Sequence, residues 1–283
     1  MSREKWFIQP GESRVIDTGI IRSLKVALIG GAIDVIGHDE DTARIEVHDV
    51  SGRELKVAID GDFLEIDHPQ LRWENFIDTF RAFGPDKATA AVSLLVPRDI
   101  DLSFGVVSAQ ALLSGLETDA RLSTVSGEIG ADSLTGDIEL NAVSGVLNVS
   151  DHTGSIAVHT VSGDVTAAGE IEKFTGNTVS GDVFIDARGA CDRIRLNSMS
   201  GNLTARVDGD LGARCAINTV SGRVHVDGKS VEGTLGRGYS TTVTGTGNSV
   251  VEVAANTVSG DISVIRRVEH TSTFSVDADG AVR

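Results

Sequence analysis

Asp164 and Asp182 stand one repeat apart, each directly after a glycine. On a parallel β-helix that spacing stacks two carboxylates closely enough to share a site, as acid and base do in polysaccharide lyases and hydrolases. The column they belong to argues against chemistry. It reads Glu128, Val146, Asp164, Asp182, Asn202, Arg223 and Asp261, and a repeat column serves the fold before it serves a reaction. The same column removes calcium, because nonapeptide calcium repeats need an oxygen ligand in every unit and Val146 and Arg223 break the row. His152 and His159 are seven residues apart and the other histidines stand in unrelated columns, which is no metal-ligand pattern. Thr160 with Ser162, and their equivalents, would make a two-lane hydroxyl array like that of ice-binding solenoids. Half of that array is Ser, without the ordering methyl, and outward polar residues need no special purpose. The expectation is no catalytic residue, no metal and no cofactor, and no enzyme activity.

The elements that position these residues come from an internal repeat. A small residue followed by Gly returns every nine residues: Ser126-Gly127, Thr135-Gly136, Ser144-Gly145, Thr153-Gly154 and Ser162-Gly163. Alternate members match best, so the unit is eighteen residues with two strand-sized halves. It continues at Gly181, Gly201, Gly222 and Gly260 with gaps of 18, 20, 21 and 38. The last gap reads as two coils of nineteen, one without its signature. Val107-Ser108-Ala109 reads as a degenerate first coil. The expected fold is all-β, a single-chain parallel β-solenoid of about eight coils of 18–21 residues with an N-terminal β cap.

Period-two alternation assigns faces. Val125, Val143, Val161, Val179, Met199, Val220 and Val258 are expected inward, with Ile129 and its equivalents after the Gly. Thr160, Ser162, Thr178, Ser180, Thr219, Ser221, Thr257 and Ser259 are then expected outward, as a candidate interaction surface. Asn141, Asn177, Asn197, Asn218 and Asn256 share the inward parity. Buried amides are costly unless paired, so the column reads as an inward Asn ladder at a corner, bonded along the stack and interrupted by His159.

The chain divides into a tail at 1–12, a β cap at 13–68, an aromatic insert at 69–91, repeats at 92–265 and a tail at 266–283. The cap predicts strands at Leu24 to Leu28, Ala32 to Ile36, Ala43 to Val47, Leu55 to Ile59 and Phe63 to Asp67, with a hairpin at Asp60-Gly61. In the insert, Trp73, Phe76, Ile77, Phe80 and Phe83 recur at helical spacing, which predicts a short helix packed on the solenoid or docking a partner.

Asp plus Glu is 41 against 25 Lys plus Arg, a formal net charge of -16. That charge repels phosphate backbones and anionic lipid, which excludes nucleic acid and bare membrane as partners. No run approaches eighteen apolar residues, and Met1 to Pro10 holds no apolar signal core, so no membrane insertion and a cytoplasmic location are expected. Cys191 and Cys215 then read as reduced, buried thiols.

Asn177-Thr178-Val179-Ser180-Gly181-Asp182-Val183, nearly repeated at Asn256 to Ile262, resembles the bacterial DUF4097 family, as does the opening from Leu24 through Val35. The resemblance runs from about Ser13 to Ile265. It implies β-strand-repeat proteins, often labelled as adhesins. The expected function is a non-catalytic binding or scaffold module that holds an unidentified protein partner. One alternative is a bactofilin-like structural protein that self-associates through its terminal coils, with Arg266, Arg267 and Glu269 guarding against it. A carbohydrate-active β-helix enzyme is a further alternative.

Overall fold

A computed structural model describes residues 3–68, 88–232, 238–247 and 249–267; among these the chain is all-β, without a helix, and its 24 strands join one hydrogen-bonded sheet. The N-terminal strands are β1 (Arg3–Ile8), β2 (Arg14–Ile20), β3 (Ser23–Leu28), β4 (Gly30–His38), β5 (Thr42–Ser51), β6 (Leu55–Asp60), β7 (Phe63–Asp67) and β8 (Thr89–Pro97). The next are β9 (Asp101–Val106), β10 (Gln110–Ser114), β11 (Ala120–Thr124), β12 (Glu128–Asp132), β13 (Ile138–Ser144), β14 (Val146–Ser162), β15 (Val165–Ser180) and β16 (Val183–Ala187). The last are β17 (Arg193–Ser200), β18 (Leu203–Asp208), β19 (Gly212–Ser221), β20 (Arg223–Val226), β21 (Lys229–Glu232), β22 (Tyr239–Val243), β23 (Val250–Ser259) and β24 (Ile262–Arg267).

The five expected cap strands all form, and β6 and β7 close a hairpin at Asp60-Gly61 with Asp60 opposite Phe63. Alternation carries them: Leu24 and Val26 of β3 are buried while Lys25 between them is not. The aromatic insert, with Trp73, Phe76, Phe80 and Phe83, lies outside the described residues through 87, and Thr89 onward is strand.

Parallel pairing stacks equivalent residues of successive repeats. In the lane before each glycine, β9, β11, β13, the second part of β14, the second part of β15 and β17 pair in that order. In the lane after it, β10, β12, the first part of β14, the first part of β15, β16 and β18 do the same. The inner face holds aliphatic side chains such as Ile156, Val158, Val165 and Ile185, with Phe174 fully buried among them. Each such side chain contributes roughly 1.5–3 kcal/mol of burial.

Stacking order departs from chain order at both ends. The last motif does not follow Gly222 by two coils: β23 lies between β17 and β19, so Asn256 sits between Asn197 and Asn218. Likewise β24 lies between β18 and β20. The intervening chain instead makes β21 and β22, which pair antiparallel with β20 and β19 and cover the last level. The other end mirrors this. β3 and β4 lie between β7 and β8 on one side and β9 and β10 on the other, while β6 and β5 pair antiparallel with β7 and β8. An antiparallel cover satisfies backbone groups that an open parallel level would leave exposed.

The expected face assignment before the glycine is inverted. Thr124, Thr160, Thr178, Ser198, Thr219 and Thr257 are buried, between 1% and 9% exposed, whereas Val143, Val161, Val179, Met199, Val220 and Val258 are 45–59% exposed. Only Val125, at 8%, keeps the expected burial. The residues after the glycine, Ile129, Leu147 and Val165 among them, face inward as expected. The Ser-Gly pair is a corner: Thr160 and Val165 both point inward although they are five positions apart, an odd offset, so alternation slips by one there. The glycine makes the slip feasible. Gly181 has φ 122, and a Cβ there would stand 2.2 Å from the carbonyl oxygen of Gly163 in the level beneath.

Arg266 and Arg267 are not a free guard. They bond Asp227, Asp186 and Asp208 and fasten the inserted β24 to its neighbours. Glu269 lies outside the described residues.

Candidate binding face

The corner explains which polar groups face inward. Thr178 and Thr257 donate their hydroxyls to the carbonyls of Ser180 and Ser259, at 3.1 and 3.2 Å, and Ser198 does so to Ser200 at 2.9 Å. The carbonyls of Ser180 and Ser259 also accept the N–H groups of Gly163 and Gly201 from the neighbouring level, at 3.3 and 3.2 Å, so the inward hydroxyl takes their second lone pair at the corner. Thr160, Thr178, Thr219 and Thr257 therefore belong to the interior, not to an interaction surface. Ser162, Ser221 and Ser259 are exposed at the corner, and Ser180 is half-buried there.

The Asn ladder exists, on the outer surface. Asn197 donates to Asn177 at 3.0 Å, Asn256 to Asn197 at 2.9 Å and Asn218 to Asn256 at 2.8 Å. Asn177 meets His159 Nδ1 at 3.4 Å, where the ladder stops, and Asn141 turns instead to Glu139 at 3.0 Å. Each ladder amide retains a second N–H and a second lone pair for an outside partner.

Two residues along from this ladder, and on the same side of the sheet, runs the apolar row Val143, Val161, Val179, Met199, Val258 and Val220 in stacking order. With parallel strands about 4.8 Å apart, the row is roughly 25 Å long. Between the two rows lies an open groove of about 540 Å³, floored by Ala142, Thr160 and Thr178 and walled by Asn141, His159, Asn177 and three of the valines. Single exposed valines are ordinary, but a continuous apolar row rimmed by amides marks an interaction surface. Sequence reasoning missed it because one unbroken alternation was carried through the corner. The glycine column itself was the available signal.

The acids after the glycine serve the stack. Asp164 accepts the N–H of Asp182 at 2.9 Å, Asp182 that of Asn202 at 2.8 Å, Asn202 that of Asp261 at 3.1 Å and Asp261 that of Arg223 at 2.8 Å. Arg223 stands on β20, the outermost parallel level, with no further level to cap. At the opposite corner Asp119 and Asp137 do the same for Asp137 and Ser155.

Among the buried titratable groups, Cys191 and Cys215 are free thiols pushed up to about 11 by burial. His68 is pushed down to about 4, first by burial and then by the charge of Arg53, and its Nδ1 accepts the N–H of Ile29. His152 is also buried and shifted down for the same first reason.

Residues 168–265 match the model of a family described as Toastrack DUF4097, the family that the Asn-Thr-Val-Ser-Gly-Asp-Val motif resembles. The match is narrower than the resemblance and covers the repeats from β15 to β24. No curated protein matches the chain. Among solved structures, a protein of Clostridium sporogenes provisionally named for cell adhesion aligns at 18% identity, covering 94% of this chain and 99% of that one, with a TM-score of 0.27. A Parabacteroides distasonis protein provisionally named for lipid binding aligns at 12% identity, 92% and 99% coverage, and a TM-score of 0.38. A protein of Bacteroides fragilis provisionally named an adhesin aligns at 12% identity, 91% and 100% coverage, and a TM-score of 0.34.

Proposed function

We propose that this chain is a non-catalytic binding module built on a β-solenoid whose levels are single repeats, and that it engages a protein through the face carrying the Asn ladder and the apolar row. The observation that carries the reading is the row itself: six apolar side chains about half exposed, aligned by the fold rather than scattered over it. The rigid stack presents them with little ordering cost, which favours binding. Protein partners suit a surface of this kind better than phosphate or lipid head groups, given the net charge of -16. We place the module in the cytoplasm, where the two free thiols stay reduced.

The filament alternative would need end-to-end docking on the antiparallel covers, β21 and β22 at one end and, at the other, β1 and β2, which pair antiparallel outside β6 and β5. Such covers blunt strand addition. The carbohydrate-active alternative would need acids free to act, and the acids in the repeat column cap backbone N–H groups.

Photo-crosslinking residues at Val161 and Val179, with one at exposed Thr166 on the other lane as control, test the reading in the cells that make the protein. Products at the two valine positions and none at Thr166 are expected. Equal capture at all three positions, or none at the valines, would contradict it.

A further inference from the structure

We propose that the occupant of this face is a second copy of the same chain, running antiparallel. The inference deepens the binding-face reading and rests on it.

The argument is the charge laid out beside the apolar row. Six and eight residues before the corner glycine are two more outward columns of the same lane. On the β9 to β13 half they carry Asp101, Asp119, Asp137 and Glu139 against one cation, Arg121. On the β15 to β19 half they carry Lys173, Arg193, Arg195 and Arg214 against one acid, Glu252. Ser155 and Ala157 separate the halves. A chain this acidic overall has gathered free cations on one half of one face. Among the described residues Lys173, Arg195 and Arg214 make no ion pair within the chain, whereas Arg193 neutralises Glu252 at 3.1 Å.

A two-fold axis lying in this face, across the stack between Ser155 and Lys173, keeps each column opposite itself and reverses the order of levels. Val161 then meets Val179 of the other copy, and Val143 meets Met199. Glu139, which Arg121 of its own chain bridges at 2.7 Å, meets Arg195, Asp137 meets Arg193 and Asp101 meets Arg214. Asp119 meets Glu252, whose charge Arg193 of its own chain offsets. A two-fold axis along the stack would instead keep the levels and reverse the columns, setting the charged columns against the valine and amide columns with no opposite charge, so the charge selects the antiparallel arrangement. Eight levels by four outward columns make roughly 34 by 20 Å. That is about 700 Å² per copy and about 1,400 Å² for the pair, within the range of specific interfaces.

Two charge-reversed variants test this without touching the apolar row: Asp101→Lys with Glu139→Lys, and Arg195→Glu with Arg214→Glu. Mass is read by light scattering on the purified full chain. The wild type is expected at twice 29.7 kDa, and each variant alone at the mass of one chain, its dissociation constant raised about a hundredfold or more. An equimolar mixture of the two variants is expected to restore the dimer, since each then offers the charges the other needs. Restoration also shows that both variants are folded. A monomeric wild type at high micromolar concentration would overturn the proposal, as would variants that stay dimeric alone or fail to pair when mixed. A monomeric wild type whose Val161 and Val179 positions still crosslink a different protein would overturn the second copy and leave the binding face standing.

Discussion

The carboxylate of Asp182 accepts the backbone N–H of Asn202, the residue stacked on it in the next level, at 2.8 Å. Asn202 repeats the gesture toward Asp261 with its side-chain oxygen at 3.1 Å. An acid and an amide are thus equivalent at this place, which is why the column tolerates both. Replacing Asp182 by Ala is expected to lower stability by about 1–2 kcal/mol, the value of a charge-assisted bond at a partly wet site. Asp182→Asn should retain most of it. Urea denaturation of the three proteins measures the difference, and equal losses for Ala and Asn would contradict the role.

The corner glycines are not interchangeable with others. Gly181→Ala forces a Cβ to 2.2 Å from the Gly163 carbonyl at φ 122, whereas Gly189, at φ 70, has nothing within 4 Å. The first substitution is expected to cost upwards of 3 kcal/mol, because backbone of two levels must move, and the second about 1 kcal/mol. Midpoints of chemical denaturation compare them directly.

Thr160 is buried at 6% and its hydroxyl finds no hydrogen-bond partner, while its neighbour Val161 is 50% exposed. Thr160→Val should therefore stabilise the fold by about 1 kcal/mol, since a buried unpaired hydroxyl is replaced by a methyl. Val161→Thr should change stability by less than about 0.5 kcal/mol at dilutions that keep the chain monomeric. The opposite ranking would restore the outward threonine face.

Burial and Arg53 hold His68 near a pKa of about 4, below the ordinary 6.5. Between those values the unfolded chain binds a proton that the folded chain refuses. The folded state is therefore fully favoured above about pH 6.5 and loses that share, on the order of 2 kcal/mol, as pH falls toward 4. His152 shifts in the same direction through burial. His68→Gln should flatten the stability curve over this window but leave the contribution of His152. Calorimetry from pH 7 to pH 4 reads the difference between the two proteins.

The repeat and most strand positions were legible because stacked identical columns reveal themselves in one sequence: Asn177, Asn197 and Asn256 are aligned by spacing before any coordinate is known. Face assignment was legible only within a strand. Across the Ser-Gly corner the chain turns and alternation slips, so Thr178 goes inside and Val179 outside. The place of Asn256 between Asn197 and Asn218 was not legible either. Equivalent repeats carry equivalent side chains, and local pattern does not record which level lies above which. The make-up of the basic half is hidden for the same reason, since chain order sets Arg193 next to Arg214 whereas β23 places Glu252 between them.

The central claim is that the row containing Val161 and Val179 faces water in the free chain and is covered in the bound one. Single cysteines at Val161, Val179 and the control Thr166, in a background with Cys191→Ser and Cys215→Ala, can be timed for thiol labelling in dilute protein and in its assembled state. All three should label quickly when dilute, and assembly should slow Val161→Cys and Val179→Cys at least about tenfold while leaving Thr166→Cys unchanged. Slow labelling of the valine positions in dilute protein, or equal rates at all three in the assembly, would contradict the account.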